Sequence, residues 1–465
     1  MVLKLYNSMG RKKMAFKPLR GRTVRMYTCG PTVWNYAHIG NFRTYVFEDL
    51  LRRYLKFKGF SVKQVMNITD VEDKIIKGMK QFQKSRKELA EFYEQAFLED
   101  LLTLGVERAE VYPRATENIP EMVTLIKKLM RKGFAYKADD GSTYFAVSKF
   151  KRYGRLAGIK PSELKAGARV AQDHYEKEEA NDFALWKAWD EGDAEVYWET
   201  ELGKGRPGWH IECSAMSMKY LGESFDIHTG GMDNKFPHHE NEIAQSEAAT
   251  GRRFVKYWLH SEHLHFRGEE MHKSVGNVVY LRDLVKQGRN PLTIRLFLLG
   301  SRYRDALDFT EAQLDQAEAQ RKRLQDLISR LRSVKGGPKG KGPSSNLLAG
   351  FSKAMDDDLN TPKALAAVFT FAKRTNTLID EARIGEGAAG EVISALRRVD
   401  SVLGVMDFEE GLLPEELRVM IETREMARRA GDYQKSDQLR AELLERGIVV
   451  EDTPKGTVWK KRVTS

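Results

Sequence analysis

The chain is poor in cysteine, with two in 465 residues, Cys29 and Cys213, set 184 positions apart. A pair spaced so widely makes no disulfide framework. It points to a reducing compartment, so the cytoplasm is the expected location. The chain also lacks any apolar run near 18 residues, and with 31 % of its residues charged no membrane span is expected. Residues 1–17 are basic but have no apolar stretch of the kind a secretory signal needs. No internal repeat is found. Positive charge, by contrast, is in excess, at 77 Lys and Arg against 66 Asp and Glu for a formal net charge of +11. That balance suits a polyanionic partner, although many basic proteins bind no nucleic acid. Length suggests about three domains, and 41 % hydrophobic residues supply ample core.

Histidine is scarce too, but unevenly spread. Of ten, eight (His210, His228, His238, His239, His260, His263, His265 and His272) fall between His210 and His272. The same stretch holds Trp209-His210-Ile211-Glu212-Cys213 and Pro237-His238-His239-Glu240-Asn241-Glu242. His238 and Glu242 are four apart, so on a helix they share a face and can bite one ion. With Cys213 they offer three of the four ligands zinc prefers, and the remaining cysteine lies far upstream. An ordinary amphipathic helix with solvated His and Glu has the same spacing; the clustering is what favours a metal.

Upstream, Thr23 to Tyr27 is strand-like and stops at Cys29-Gly30-Pro31. Apolar positions Val46, Leu50, Leu51, Tyr54 and Leu55 predict a helix from about Asn41 to Gly59, and Val62–Ile68 predicts a second strand. This is a parallel βαβ unit, whose ligands sit at the strand's carboxyl end against the helix amino end. His38-Ile39-Gly40-Asn41 occupies that place. Residues 116–205 are polar and turn-rich and read as an insertion. Past a strand from Phe225 to His228, Gly230-Gly231-Met232-Asp233 would allow close backbone approach to a ligand, with a carboxylate nearby. In Glu270-Met271-His272-Lys273-Ser274, the lysine is placed to reach phosphate oxygens, unless the loop is merely solvated. Helices are predicted from Glu311 to about Leu403, with Asn360-Thr361-Pro362 as a cap and start. Two short helices and a β-like tail follow, in which basic and aromatic residues interleave as a base-stacking surface requires.

Taken together, Tyr27-Thr28-Cys29-Gly30-Pro31-Thr32-Val33, His38-Ile39-Gly40-Asn41, Asn67-Ile68-Thr69-Asp70, the run from Arg206 to Met216, and Phe236 to Glu242 resemble the cysteinyl-tRNA synthetase family. Asp356 to Pro362 and Gly447 to Pro454 extend the match over nearly the whole chain. The resemblance implies an α/β fold: a Rossmann-type parallel-sheet catalytic domain with an inserted subdomain, an α-helical bundle, and a small C-terminal mixed α/β anticodon-binding module. The expected division is 1–115 and 206–269 for the catalytic halves, 116–205 for the insertion and 270–310 for the signature-lysine loop and stem-contact region. Residues 311–405 would form the bundle and 406–465 the last module. The implied activity is ATP-dependent activation of L-cysteine and its transfer to the 3′-terminal adenosine of tRNA(Cys), by a monomer. One zinc ion per chain, held by Cys29, Cys213, His238 and Glu242, would select the thiol, because packing separates near-isosteres weakly and zinc prefers thiolate to hydroxyl. Mg²⁺ would arrive with ATP.

By the same resemblance His38, Asn41 and Lys273 are catalytic; Gly40, Gly231 and Asp233 join them around ATP; and Gly30, Thr69, Trp209 and Asp233 meet the amino acid. Arg428 and Asp437 would touch tRNA, with Tyr433 where an aromatic residue is usual. Two departures stand out. Asn41 ends the first signature in place of histidine but keeps a donor. Glu270 and His272 alter the usual Lys-Met-Ser-Lys-Ser, removing one positive charge from the loop expected to close on pyrophosphate.

Overall fold

The computed structural model describes residues 2–159, 169–170, 182–271, 277–338, 342–409, 415–446, 448–453 and 456–461. They form two compact units, 1–406 and 407–465. At the centre of the first lies a four-stranded parallel sheet, in the order Val255–Ser261, Phe225–Gly231, Thr23–Thr28, Ser61–Met66. Val24, Met26, Val65, Ile227 and Leu259 are fully or almost fully buried in it, as strands covered on both faces require.

The predicted βαβ unit is present. Its helix runs from Ile39 to Phe57, two residues earlier than the apolar pattern indicated, and buries Phe42, Val46, Leu50, Leu51, Tyr54 and Leu55. The side chain of Asn41 accounts for the early start, because its Oδ1 accepts the His38 N–H at 3.0 Å. Gly59, at φ +83, lets the chain turn back into the next strand.

In chain order the strands are laid down centre, one side, then the other side. The crossover direction therefore reverses between Thr23–Thr28 and Phe225–Gly231. This topological switch point lies where open α/β sheets bind ligands.

Between the halves lies a mainly antiparallel sheet ordered Ala135–Lys137, Thr143–Phe145, Asp182–Ala188, Gly203–Pro207, Trp198–Thr200, with Arg169–Val170 parallel to Asp182–Ala188. The helices Glu311–Ser333, Ser344–Met355, Thr361–Asp380 and Glu386–Leu403 form the bundle. As the Asn-Thr-Pro run predicted, Asn360 caps the third, its Oδ1 accepting from Lys363 N at 3.2 Å. A buried Arg295 fastens the bundle to the catalytic part. It donates to Leu403 O at 2.7 Å and Leu104 O at 3.1 Å, and to the carboxylate of Asp49.

The second unit has helices Glu415–Arg429 and Tyr433–Glu445 and an antiparallel hairpin, Ile448–Thr453 with Gly456–Lys461. Ile421, Leu443, Ile448 and Val450 form its core.

Candidate active site

The first and third core strands run side by side, Tyr27 beside His228 and Thr28 beside Thr229. One residue on, Cys29 N donates to Thr229 O at 3.2 Å, which pins this cysteine at the sheet's carboxyl edge. Cys213 lies on the helix Trp209–Leu221, and His238 and Glu242 on the helix His238–Thr250. Gln245 stitches the two helices together, its Nε2 donating to His210 O at 2.9 Å and Ser214 Oγ at 3.1 Å.

The ligand atoms of Cys29, Cys213, His238 and Glu242 all lie within 4.8 Å of one another, and all four residues are buried. His238 Nε2 stands 3.4 Å from Cys213 Sγ and 3.2 Å from Glu242 Oε1. That Oε1 is buried and, among the described residues, has no hydrogen-bond partner.

Burial pushes the Cys29 thiol up, and Cys213 beside it adds to the effect. Burial also raises the Glu242 carboxyl, against the pull of His228. His239 is held neutral by burial and by the neighbouring rings of His228, His260 and His238. A thiol and a carboxylate kept uncharged by desolvation, set side by side, ionise together only around a cation. Sulfur, imidazole and carboxylate donors converging at this range are the set zinc takes, so the residues fit the ion the resemblance implies.

A second set overlaps the first: Cys29, His228, His239 and Glu242 also converge within 4.8 Å. It omits Cys213 and uses His228, whose Nε2 already engages Glu242 Oε2 at 2.9 Å. Two sulfur donors favour the first set for a borderline-soft ion. The remaining histidines orient one another. His239 Nδ1 lies 2.9 Å from His260 Nε2, and His260 Nδ1 lies 2.8 Å from Ser8 Oγ. His210 Nδ1 meets His238 Nδ1 at 3.0 Å. Histidine density marked this region in the sequence; Ser8 and the order of the chain had no signal there.

Beside the cluster, Gly30 N donates to Asn67 Oδ1 at 3.0 Å, and Asn67 Nδ2 donates to Thr69 Oγ1 at 3.1 Å. Thr69 Oγ1 in turn reaches Glu212 Oε2 at 3.4 Å. A Cβ on Gly30 would stand 1.7 Å from the Asn67 carbonyl oxygen, so only glycine fits there. Trp209, half-buried, stacks on His238 with centroids 4.0 Å apart. Neither Asn67 nor Glu212 carried a role in the sequence, because a lone polar residue has no periodicity.

His38 immediately precedes the helix Ile39–Phe57, with Gly40 in its first turn where a Cβ would meet the His38 ring at 2.9 Å. Since Asn41 Oδ1 caps this helix, its amide NH₂ is the end left for a ligand. Ile39 N donates to Val279 O at 2.8 Å, so the chain returns to His38 just after the lysine loop. Lys273 itself, with His272, lies outside the described residues. Across the switch point, Gly231 ends the third strand and the exposed Asp233 follows; a Cβ on Gly231 would collide with Asp233 Oδ1 at 2.1 Å. Arg428 and Asp437 are both exposed in the second unit, on its first and second helices.

Three family models match the chain. Residues 15–319 match the tRNA synthetases class I (C) catalytic domain, 350–407 the DALR domain and 410–459 the cysteinyl-tRNA ligase anticodon binding domain. A cysteine–tRNA ligase of Protochlamydia amoebophila is 46 % identical, over 99 % of this chain and 98 % of its own. One from Brachyspira hyodysenteriae is 47 % identical, over 98 % and 99 %. Among solved structures, methionyl-tRNA synthetase of Mycobacterium tuberculosis with methionyl-adenylate shares the fold at 14 % identity. Its TM-score is 0.60, over 83 % of this chain and 90 % of that one. The chain belongs to the cysteine–tRNA ligase family of class I aminoacyl-tRNA synthetases.

Proposed function

We propose that the chain activates L-cysteine with ATP, releasing pyrophosphate, and passes the cysteinyl group to the 3′-terminal adenosine of tRNA(Cys). The observation that carries this reading is the convergence of Cys29, Cys213, His238 and Glu242 at the switch point of the parallel sheet. These four would hold one zinc ion per chain, which when bound supplies a Lewis acid that a thiolate satisfies far better than a serine hydroxyl. Cysteine and serine differ by one atom, and packing alone separates such near-isosteres by only about 10–200-fold.

The chain's own residues supply the rest. Gly30 and Thr69, tied together through Asn67, line the floor on which the amino acid rests, and Trp209 offers it an apolar face. The positive end of the helix that follows His38, at Gly40, with the His38 ring and the Asn41 amide, steadies the triphosphate. Gly231 permits close approach of the adenosine, and Asp233 accepts from a ribose hydroxyl or the amino group. Lys273 is assigned the charge on the departing pyrophosphate. The substrate's carboxylate attacks the α-phosphate in line. No protein nucleophile is needed, and Mg²⁺ comes with ATP, so catalysis is positioning and electrostatics. Arg428 and Asp437 would meet the anticodon. A cytoplasmic monomer divided at 115, 205, 269, 310 and 405 belongs to the same reading.

The test is cysteine-dependent ATP–pyrophosphate exchange by zinc-loaded protein, followed by hydroxylamine-sensitive charging of tRNA. Both are expected. Zinc-loaded protein that performs neither would overturn the reading, and exchange without charging would restrict it to amino-acid activation.

A further inference from the structure

The run that supplies Cys29 begins with a tyrosine to which the proposed function gives no task. Tyr27 lies two residues before Cys29, and side chains two apart on an extended chain leave the same face. It is fully buried, its ring 5.1 Å from that of His228 and 6.3 Å from that of Phe225. A buried tyrosine ordinarily finds an acceptor for its hydroxyl. Here, among the described residues, the hydroxyl oxygen has no hydrogen-bond partner. Burial, then charge on Cys213, Cys29 and Glu242, keeps it protonated, and Cys213 is the neighbour placed to accept from it. A neutral thiol is a weak acceptor and a thiolate a strong one, so this donor is matched to Cys213 only once that sulfur is ionised.

Thiolates at the cluster need such donors. Two thiolates and a carboxylate around a dication leave a net negative charge, and a substrate thiolate adds another, all of it out of water. Cys29 is provided for. His239 Nε2 stands 3.2 Å from its sulfur. Burial disfavours its thiolate, and a hydrogen bond from the Asn234 side chain favours it. Cys213 has His238 Nε2 at 3.4 Å, but that nitrogen turns to the ion once His238 is a ligand. The Tyr27 hydroxyl is the donor that remains.

We propose that Tyr27 is a positioning residue for the sulfur of the amino acid. Its hydroxyl donates to the Cys213 thiolate and draws charge off it, so that the metal's shell accepts one more thiolate. A neutral serine brings no charge to offset, so the donor helps cysteine alone. The proposal rests on the reading of the cluster as the place where cysteine is bound.

The experiment compares full-length wild type with Tyr27→Phe, which removes one oxygen and keeps the ring. Each is studied metal-free, zinc-loaded, and with cobalt(II) in place of zinc. A thiolate that loses a hydrogen bond holds its lone pairs less tightly, so the sulfur-to-cobalt charge-transfer band should move to longer wavelength in the variant. Zinc affinity, read by competition with a chromophoric chelator, should fall roughly tenfold, the lower end of what outer partners of metal ligands contribute. In zinc-loaded protein the KM for cysteine in pyrophosphate exchange should rise about as much, with the KM for ATP unchanged. The metal-free variant should melt no lower than metal-free wild type, since it has lost an unmet buried group. A band and a zinc affinity at wild-type values would overturn the proposal. So would a metal-free variant as destabilised as the loaded one with the band in place, which would make the hydroxyl a packing group. Wild-type protein that gives no such band with cobalt(II) is a different failure, of the cluster as a metal centre, and would take the proposal with it.

Discussion

Replacing Cys213 by serine separates the two overlapping donor sets. Cys213 belongs to the set with His238 and is missing from the set with His228 and His239. Four-ligand zinc sites bind with about 10–16 kcal/mol, so one soft donor among four accounts for roughly 3 kcal/mol. At 1.4 kcal/mol per decade that is about a hundredfold in affinity. A serine hydroxyl is a poor substitute, since it stays protonated where a thiol gives up its proton to the metal. Cys213→Ser should therefore release zinc to a chromophoric chelator at about one-hundredth of the chelator strength that wild type withstands. Cysteine activation should fall with it, because the same ion is to hold the substrate sulfur. Affinity of the intact tRNA should change little. If Cys213→Ser kept zinc with wild-type affinity while His228→Asn lost it, the second set would be the metal site. The argument from two sulfur donors would then be wrong.

Three further outcomes are expected. Gly30→Ala must push the Asn67 carbonyl away from a Cβ 1.7 Å distant. It should cost about 1–3 kcal/mol and lower zinc retention by moving Cys29; a wild-type melting temperature and full zinc content would contradict this. Burial holds the Glu48 carboxyl at about 8, despite its hydrogen bond from Thr229 Oγ1 at 2.7 Å. The folded chain thus keeps a proton that the unfolded chain has released, and stability falls as pH rises from about 4.5 to about 8. Glu48→Gln removes that loss and should gain on wild type by about 1.4 kcal/mol per pH unit across the window. Urea midpoints near pH 5 and near pH 8 check it, and parallel pH profiles would contradict it. Arg295→Met strips two carbonyls and Asp49 of a fully buried partner, and should cost about 3–5 kcal/mol, read as a lower thermal midpoint. A midpoint within error of wild type would show that the buried guanidinium contributes little.

The βαβ unit was legible because its signals are local: an apolar period of 3.6 from Val46 to Leu55, a glycine stop, and β-branched residues on either side. Of the inserted sheet only a short strand in a hairpin-like segment, Ser142 to Val147, was legible, and Thr143–Phe145 there pairs with Ala135–Lys137. Its strands Thr143–Phe145 and Asp182–Ala188 pair across nearly forty residues, and no local pattern announces a partner so distant. The amino-terminal hairpin, Lys4–Asn7 with Lys12–Ala15, escaped for another reason: lysine-rich edge strands do not alternate cleanly. At the site, histidine density and the His238–Glu242 spacing were visible in the residues themselves. That Cys29 should join Cys213 followed from family resemblance alone, because their meeting depends on strand order. Asn67 and Glu212 act through contacts made only after folding, and a single polar residue among others leaves no trace of that in a sequence.

The donors at the cluster come from both sides of the inserted subdomain. An ion gripped by Cys29 and Cys213 closes a ring of 184 residues. By the chain-entropy rule, a cross-link of that span is equivalent to about 5 kcal/mol. An ion proposed to sort one amino acid from another would thereby also be a clasp between two lengths of polypeptide made at different times. A growing chain has no place to keep the metal until the second length has emerged and the excursion between them has folded out of the way. If the cluster holds zinc, metal content in newly made protein would be a record of assembly, and scarcity of the ion should loosen this joint as well as weaken the grip on cysteine.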